Sequence, residues 1–370
     1  MAMDVLSQAA ALERQGRHII HMEVGEPAAP PPRAVREAAV AALGGGRVGY
    51  TEALGLPSLR AAIARSYRDL YGVDVPAERV AVTTGSSGGF ILAFLACFDP
   101  GARIAISEPG YPAYRNLLEA LGLVAVALPV SAATRFAVTA EMIEASHREH
   151  TLDGVLLMSP ANPSGTMLTR DALTEICLTC ERLGVQFISD EIYHGLTYER
   201  AADTALAFSR SAIVVNSFSK YYCMTGWRVG WLVLPQELVR PIERLQQSLA
   251  ISVPYLSQIA AEAAFGAREE LEAVRTGYAK NRSYLLEELP KTGITEFHPV
   301  DGAFYVYADI ARFTNDSAAF CKRMLEEAGV AATTGLDFDR QRGHGAMRLS
   351  FAGSYEDVRE AVARLGNWLR

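Results

Sequence analysis

Residues 213–234 read IVVNSFSKYYCMTGWRVGWLVL, and the rest of the chain is organised around them. Ile213, Val214 and Val215 are three β-branched residues in a row, the pattern of a strand buried on both faces. Val229 to Leu234 has the same character. Lys220 then falls on a turn between two core strands, where a long cation gains nothing from packing. Ser217 and Ser219 precede it and Arg228 follows. An amine nucleophile beside hydroxyls and a guanidinium suits a ligand that joins an aldehyde to a phosphate dianion. Taken alone, Ser-Phe-Ser-Lys reads equally well as a surface lysine on a polar loop.

The bulk of the sequence narrows the setting. A chain of 370 residues with 50% hydrophobic and 21% charged residues predicts two globular domains and a sizeable core. A net charge of −7 argues against nucleic acid or an anionic membrane as partner. The longest apolar run, Phe90 to Phe98, is about half a membrane span. Asp4, Gln8, Glu13 and Arg14 interrupt any signal-peptide core, so the expected compartment is the cytoplasm. Five cysteines fit a reducing environment. Cys177 and Cys180 have C-x-x-C spacing but fall inside a predicted helix (171–183) with no second pair or His cluster. They read as small core residues, and no metal site is expected.

Several turns place reactive side chains at the ends of predicted strands. After a strand at 79–83, Thr84-Gly85-Ser86-Ser87-Gly88-Gly89 leads into a buried helix at 90–98, an arrangement whose free N–H groups seat a phosphate. A strand at 104–107 ends in Glu108-Pro109-Gly110-Tyr111-Pro112, and Tyr111 or Tyr114 could stack on a planar ring. The strand at 155–158 runs into Asn162-Pro163-Ser164-Gly165-Thr166. The strand at 185–189 ends at Asp190, with Tyr193 three residues on. A carboxylate at a buried strand end is costly unless a cation or cap hydrogen bond meets it. Arg348 sits in a short apolar strand, where its planar fork calls for an anion such as a carboxylate or a core acid. Helices are predicted at 4–15, from about Pro32, from about Pro57, and at 236–250, 254–265, 267–288 and 320–329. An extended run is expected at 330–333, and Ser354 should cap a terminal helix.

Met224-Thr225-Gly226-Trp227-Arg228-Val229-Gly230 after the lysine, Asn162-Pro163-Ser164-Gly165-Thr166 and Arg348-Leu349-Ser350 resemble landmarks of the class I/II aminotransferases, the fold-type I family. The resemblance runs in family order from Gly25-Glu26-Pro27 to the Arg348 segment. It implies an α/β fold: a large domain with a mainly parallel seven-stranded sheet, plus a smaller α/β C-terminal domain. The expected division is an N-terminal arm at 1–35 joining the small domain, a large domain at 36–265 and the small domain at 266–370. It implies pyridoxal 5'-phosphate held by Lys220, with Ser86, Ser87, Ser217, Ser219 and Arg228 around the phosphate. Tyr111 would cover the ring, Asp190 would face the ring nitrogen, and Asn162 and Tyr193 the phenolic oxygen. Gly25, Asn162 and Arg348 would bind the substrate, its carboxylate on Arg348. Tyr50 would reach the phosphate of a neighbouring subunit, or be a plain loop tyrosine; the first implies a homodimer.

The implied reaction is transfer of an amino group from an L-amino acid to a 2-oxo acid, with Lys220 as base and acid. A carbon–sulfur β-lyase of the same fold is the alternative. Aspartate or aromatic donors with 2-oxoglutarate are expected, and Arg33, Arg47, Arg340 and Arg342 are candidates for a distal carboxylate. One segment departs from the family: 334–344 carries Asp337, Asp339, Arg340 and Arg342 where small residues are usual.

Overall fold

The computed structural model describes residues 2–370, with side chains from Asp4 onward. Its strands in chain order are β1 (Ile20–His21), β2 (Val80–Thr83), β3 (Arg103–Glu108), β4 (Val124–Pro129), β5 (Gly154–Met158), β6 (Gln186–Asp190), β7 (Ile213–Ser217), β8 (Gly230–Val233), β9 (Tyr305–Asp309), β10 (Val330–Ala331), β11 (Thr333–Thr334) and β12 (Ala346–Ser350). Seven form one sheet in the order β2-β8-β7-β6-β5-β3-β4. Strand β8 runs antiparallel to both its neighbours; the other pairs are parallel.

Both faces of this sheet are covered, which explains its continuous apolar runs. Along β7, Val214 packs with Val155, Trp231 and Val253 on one face. Ile213 and Val215 pack with Phe94, Ile188 and Leu232 on the other. All three valine and isoleucine side chains are fully buried, each contributing about 1.5–3 kcal/mol relative to exposure. The carboxyl ends of β3, β5, β6 and β7 therefore open on one edge, where ligands bind in open parallel sheets.

A second core lies beside this one. Strands β11, β12 and β9 form an antiparallel sheet. The N-terminal arm joins the same region, because β1 pairs in parallel with β10 and Met22 packs in the core that holds Phe304 and Phe351. The helix Arg268–Glu288 spans both cores, with Leu271 in the first and Tyr278 and Leu285 in the second.

Three elements differ from the sequence expectation. The helix expected from Phe90 begins at Gly85 and takes in the small-residue turn, where Gly89 packs closely: a Cβ there would lie 3.1 Å from Leu232. The extended run at 330–333 divides into β10 and β11, which belong to different sheets. The helix at 320–329 starts at Ser317 and ends in a π turn over Met324–Ala328. Cys177 and Cys180 lie buried on the helix Arg170–Leu183, and burial pushes both thiols up to about 12. Among the described residues there is no cluster suited to a metal, and no helix is long and apolar enough to cross a membrane.

Candidate active site

A cleft of about 380 Å³ opens where the strand ends meet the second core. Strand β7 delivers Lys220 to its floor. Phe218 is fully buried below, so the turn cannot slide, and Lys220 Nζ donates to the Gly25 carbonyl at 2.6 Å. Gly25 must be glycine here, since a Cβ would lie 1.9 Å from Tyr305 Oη. Burial, then the positive charges of Arg348 and Arg228, lowers the Lys220 amine from 10.5 to about 8.

Asp190 ends β6 beside it and is almost fully buried. Its Oδ1 accepts from the Ile192 N–H at 3.0 Å, and Oδ2 accepts from the Tyr114 hydroxyl. Burial pushes the carboxyl up to about 7 despite those donors. Tyr193 shares a 2.7 Å hydrogen bond with Tyr305. The neighbouring acid Glu191 points elsewhere: its Oε1 accepts from Ala205 N, Thr204 Oγ1 and Ser189 Oγ at 2.8, 3.1 and 3.2 Å. Burial raises it to about 8 and lowers His194 to about 3. Their 3.5 Å approach is therefore a contact of neutral groups near pH 7, and both serve structure.

One end of the cleft gathers donors suited to an anion. Ser86 and Ser87 lie in the first turn of the helix Gly85–Cys97, whose N–H groups are unpaired within the helix. Arg228, held in the left-handed region at φ 53°, lays its guanidinium on that turn. A Cβ on Gly85 would meet Arg228 Nη2 at 2.3 Å. Ser219 completes the wall. Ser217 lies behind it, its Oγ 2.9 Å from Ser219 Oγ and 3.0 Å from the Val229 carbonyl, so it braces the seat without lining it.

Arg348 occupies the other end. Nη1 donates to Asn162 Oδ1 at 2.9 Å, and Nη2 donates to the Glu23 carbonyl and to Thr333 Oγ1, the latter at 3.3 Å. Its guanidinium lies 4.4 Å from the Tyr305 ring and 4.8 Å from Phe338. Its Nε is buried without a hydrogen bond. These partners are neutral oxygens and rings, so the charge remains directed at the cleft. Tyr111 forms the opposite wall and is 37% exposed, whereas Tyr114 is buried against Asp190, which settles which of the two faces the cleft.

Of the residues singled out from sequence, Tyr50 stands apart. It is 83% exposed and borders a separate hollow with Arg47, Val48 and Pro254. Arg33, Arg340 and Arg342 also lie outside the cleft. Sequence reasoning missed Tyr305, at the start of the buried strand β9, and the bracing role of Tyr114. The depressed lysine between two anion seats, with a buried carboxyl opposite, fits pyridoxal phosphate and an amino acid together.

Comparison with known proteins agrees with that geometry. The profile described as aminotransferase class I and II matches residues 17–365. The chain is 49% identical over 371 residues to the valine–pyruvate aminotransferase of Mycobacterium tuberculosis, covering 99% of this chain and 95% of that protein. It is 33% identical over 372 residues to the (5-formylfuran-3-yl)methyl phosphate transaminase of Methanocaldococcus jannaschii, covering 99% and 96%. The crystal structure of an aminotransferase from Mycobacterium tuberculosis matches with a TM-score of 0.97 at 49% identity, over 100% of this chain and 96% of that one. Thermus thermophilus aspartate aminotransferase solved with maleate gives 0.93 at 30% identity, over 99% and 96%. The chain belongs to the class I and II aminotransferases. It is a transaminase of fold type I that uses pyridoxal phosphate.

Proposed function

We propose that this enzyme moves the amino group of an amino acid with a small apolar side chain onto pyruvate. Bound in the cleft, pyridoxal phosphate supplies an aldehyde that exchanges amines and a ring that takes up electrons from the substrate Cα. Ser86, Ser87, Ser219 and Arg228 hold its phosphate, with Ser217 bracing Ser219. Tyr111 would cover the ring, Asp190 would meet the ring nitrogen, and Asn162 and Tyr193 would meet the phenolic oxygen. Arg348 fixes the substrate carboxylate beside Gly25. Lys220 Nζ would take the proton from the substrate Cα and hold it for return.

The observation that carries this reading is the placement of Lys220 between two separated anion seats. Two further points support the donor. The cations lining the cleft among the described residues are Lys220, Arg228 and Arg348, so the chain's own cleft offers no further guanidinium for a distal carboxylate. That weighs against aspartate and against 2-oxoglutarate. The relative at 49% identity is a valine–pyruvate enzyme. The active unit is a homodimer in which Tyr50, too exposed for a core role, reaches the neighbour's phosphate. The chain divides into an arm at 1–35, a large domain at 36–265 and a small domain at 266–370.

The test is a half-reaction. Purified enzyme mixed with single amino acids and no oxo acid should convert its visible cofactor band and release the matching 2-oxo acid, fastest for valine or alanine. Faster conversion with aspartate or an aromatic donor refutes the donor class. Pyruvate and ammonia accumulating while the band persists would indicate a β-lyase. Lys220→Ala should bind cofactor yet fail to turn over.

A further inference from the structure

The segment 334–344, where the sequence departs from its family, grips the opposite side of the cleft. We infer that Arg342 is a positioning residue that straps this loop to the turn bearing Tyr111, and so sets the enzyme's affinity for the substrate carboxylate. The inference rests on the proposed role of Arg348.

The loop first closes on itself. Asp339 is 2% exposed, and its Oδ1 accepts from the N–H groups of Gln341 and Arg342 at 3.0 and 2.7 Å. Its Oδ2 accepts from Arg342 Nε at 2.7 Å. Gly335 and Gly343 cross at contact distance, since a Cβ on Gly343 would lie 2.3 Å from the Gly335 carbonyl. With its Nε thus fixed, the Arg342 fork points outward from the loop. Nη2 donates to the Glu108 carbonyl at 2.6 Å and Nη1 to the Val130 carbonyl at 3.1 Å.

Those acceptors lie at the ends of β3 and β4, across the cleft from the loop's own core. A third link returns from the same turn, where Gly110 N–H donates to the Phe338 carbonyl at 3.0 Å. One turn therefore presents Tyr111 to the cleft while its flanking backbone anchors Phe338. Phe338 in turn lies 4.8 Å from the Arg348 guanidinium and lines the cleft. Arg342 is the charged link in that chain, and a planar guanidinium meets its three acceptors where a lysine would reach one at a time. Arg342 is itself 45% exposed on its side chain, so partners and not burial set it apart: Arg340, two residues earlier, meets Glu119 at 3.5 Å and has no comparable fork of acceptors.

Arg342→Gln should raise the KM for the amino donor about tenfold, with kcat within about twofold and the cofactor band unchanged. The dissociation constant of a 2-oxo acid, read by calorimetry on the cofactor-loaded enzyme without turnover, should rise in parallel. Arg342→Lys should fall between, and Arg340→Gln should match the parent. A structural role alone would lower the melting temperature and leave both carboxylate readouts in place, which would overturn the inference. Should Arg342→Gln fail to hold cofactor, Asp339→Asn decides, with a smaller rise in both readouts expected and no rise refuting. A parent enzyme without a half-reaction refutes the proposed function instead, because the calorimetric comparison does not depend on turnover.

Discussion

The amine of Lys220 should limit how fast the cofactor-free protein takes up pyridoxal phosphate. Attack on an aldehyde needs the neutral amine, and burial with two nearby guanidinium charges brings Lys220 to about 8. At about pH 7.5 roughly a quarter of the molecules then carry a neutral amine, against about one in a thousand for an ordinary lysine. Formation of the visible lysine-bound band, followed by stopped flow, should speed up nearly tenfold between about pH 6 and 7 and level off above about pH 9. A rate that keeps rising about tenfold per unit through pH 9.5 would refute the argument from burial. Stability provides an independent check. The unfolded lysine keeps its proton up to 10.5 and the folded one loses it near 8. Between those values the unfolded state binds more protons, so the stability of the cofactor-free protein rises with pH across that window. Below it the penalty is complete, at about 3 kcal/mol, and Lys220→Met should recover much of it near neutrality. An unchanged melting temperature in that variant would contradict the same premise.

Three other substitutions test the surroundings. Tyr114→Phe removes a hydrogen bond to the Asp190 carboxylate worth about 1.5–3 kcal/mol, so the acid limb of kcat/KM should move up by about one to two pH units; an unmoved limb denies the brace. Gly85→Ala puts a Cβ 2.3 Å from Arg228 Nη2 at a φ of +66°, and cofactor half-saturation should rise at least about tenfold in an absorbance titration. Equal affinity there would remove the phosphate seat from that turn. Glu191→Gln should leave the acid limb of the pH profile in place, because burial already holds that acid protonated there; a displaced acid limb would show that it carries charge.

What could be read from the sequence follows from how local each signal is. Strand β7 and its lysine were legible because burial on both faces writes an unbroken apolar run, and because the lysine has no packing reason to be there. Tyr111 and Tyr114 could not be told apart by composition. The helix Pro112–Ala120 decides between them by its phase, turning Tyr114 inward with Leu118 and leaving Tyr111 at the cap. Tyr305 was invisible because its partners, Gly25 and Tyr193, lie far off in sequence and contact it through tertiary packing. Arg340 and Arg342 are equally placed in a charged run. Which one reaches the Glu108 carbonyl and which meets Glu119 depends on where the loop crosses itself, at Gly335 and Gly343.

On the proposed assignment the cations of the cleft differ by their neighbours more than by their charge. Lys220 has a single carbonyl partner and a lowered pKa, so it can give up its proton and move. Arg348 is held in place instead: two of its nitrogens are pinned by Asn162, Glu23 and Thr333. An arginine neutralised by a core acid would be comfortable in the empty protein and indifferent to substrate. Neutral oxygens fix its direction without cancelling its charge, so burial leaves it under-compensated until a carboxylate arrives. The desolvation cost is then carried by the empty state and relieved on binding, which makes carboxylate affinity and thermal stability two readings of one quantity. Asp190 follows the same logic with the sign reversed. Burial holds it near its ionisation point, and a cation brought to it would complete the charge.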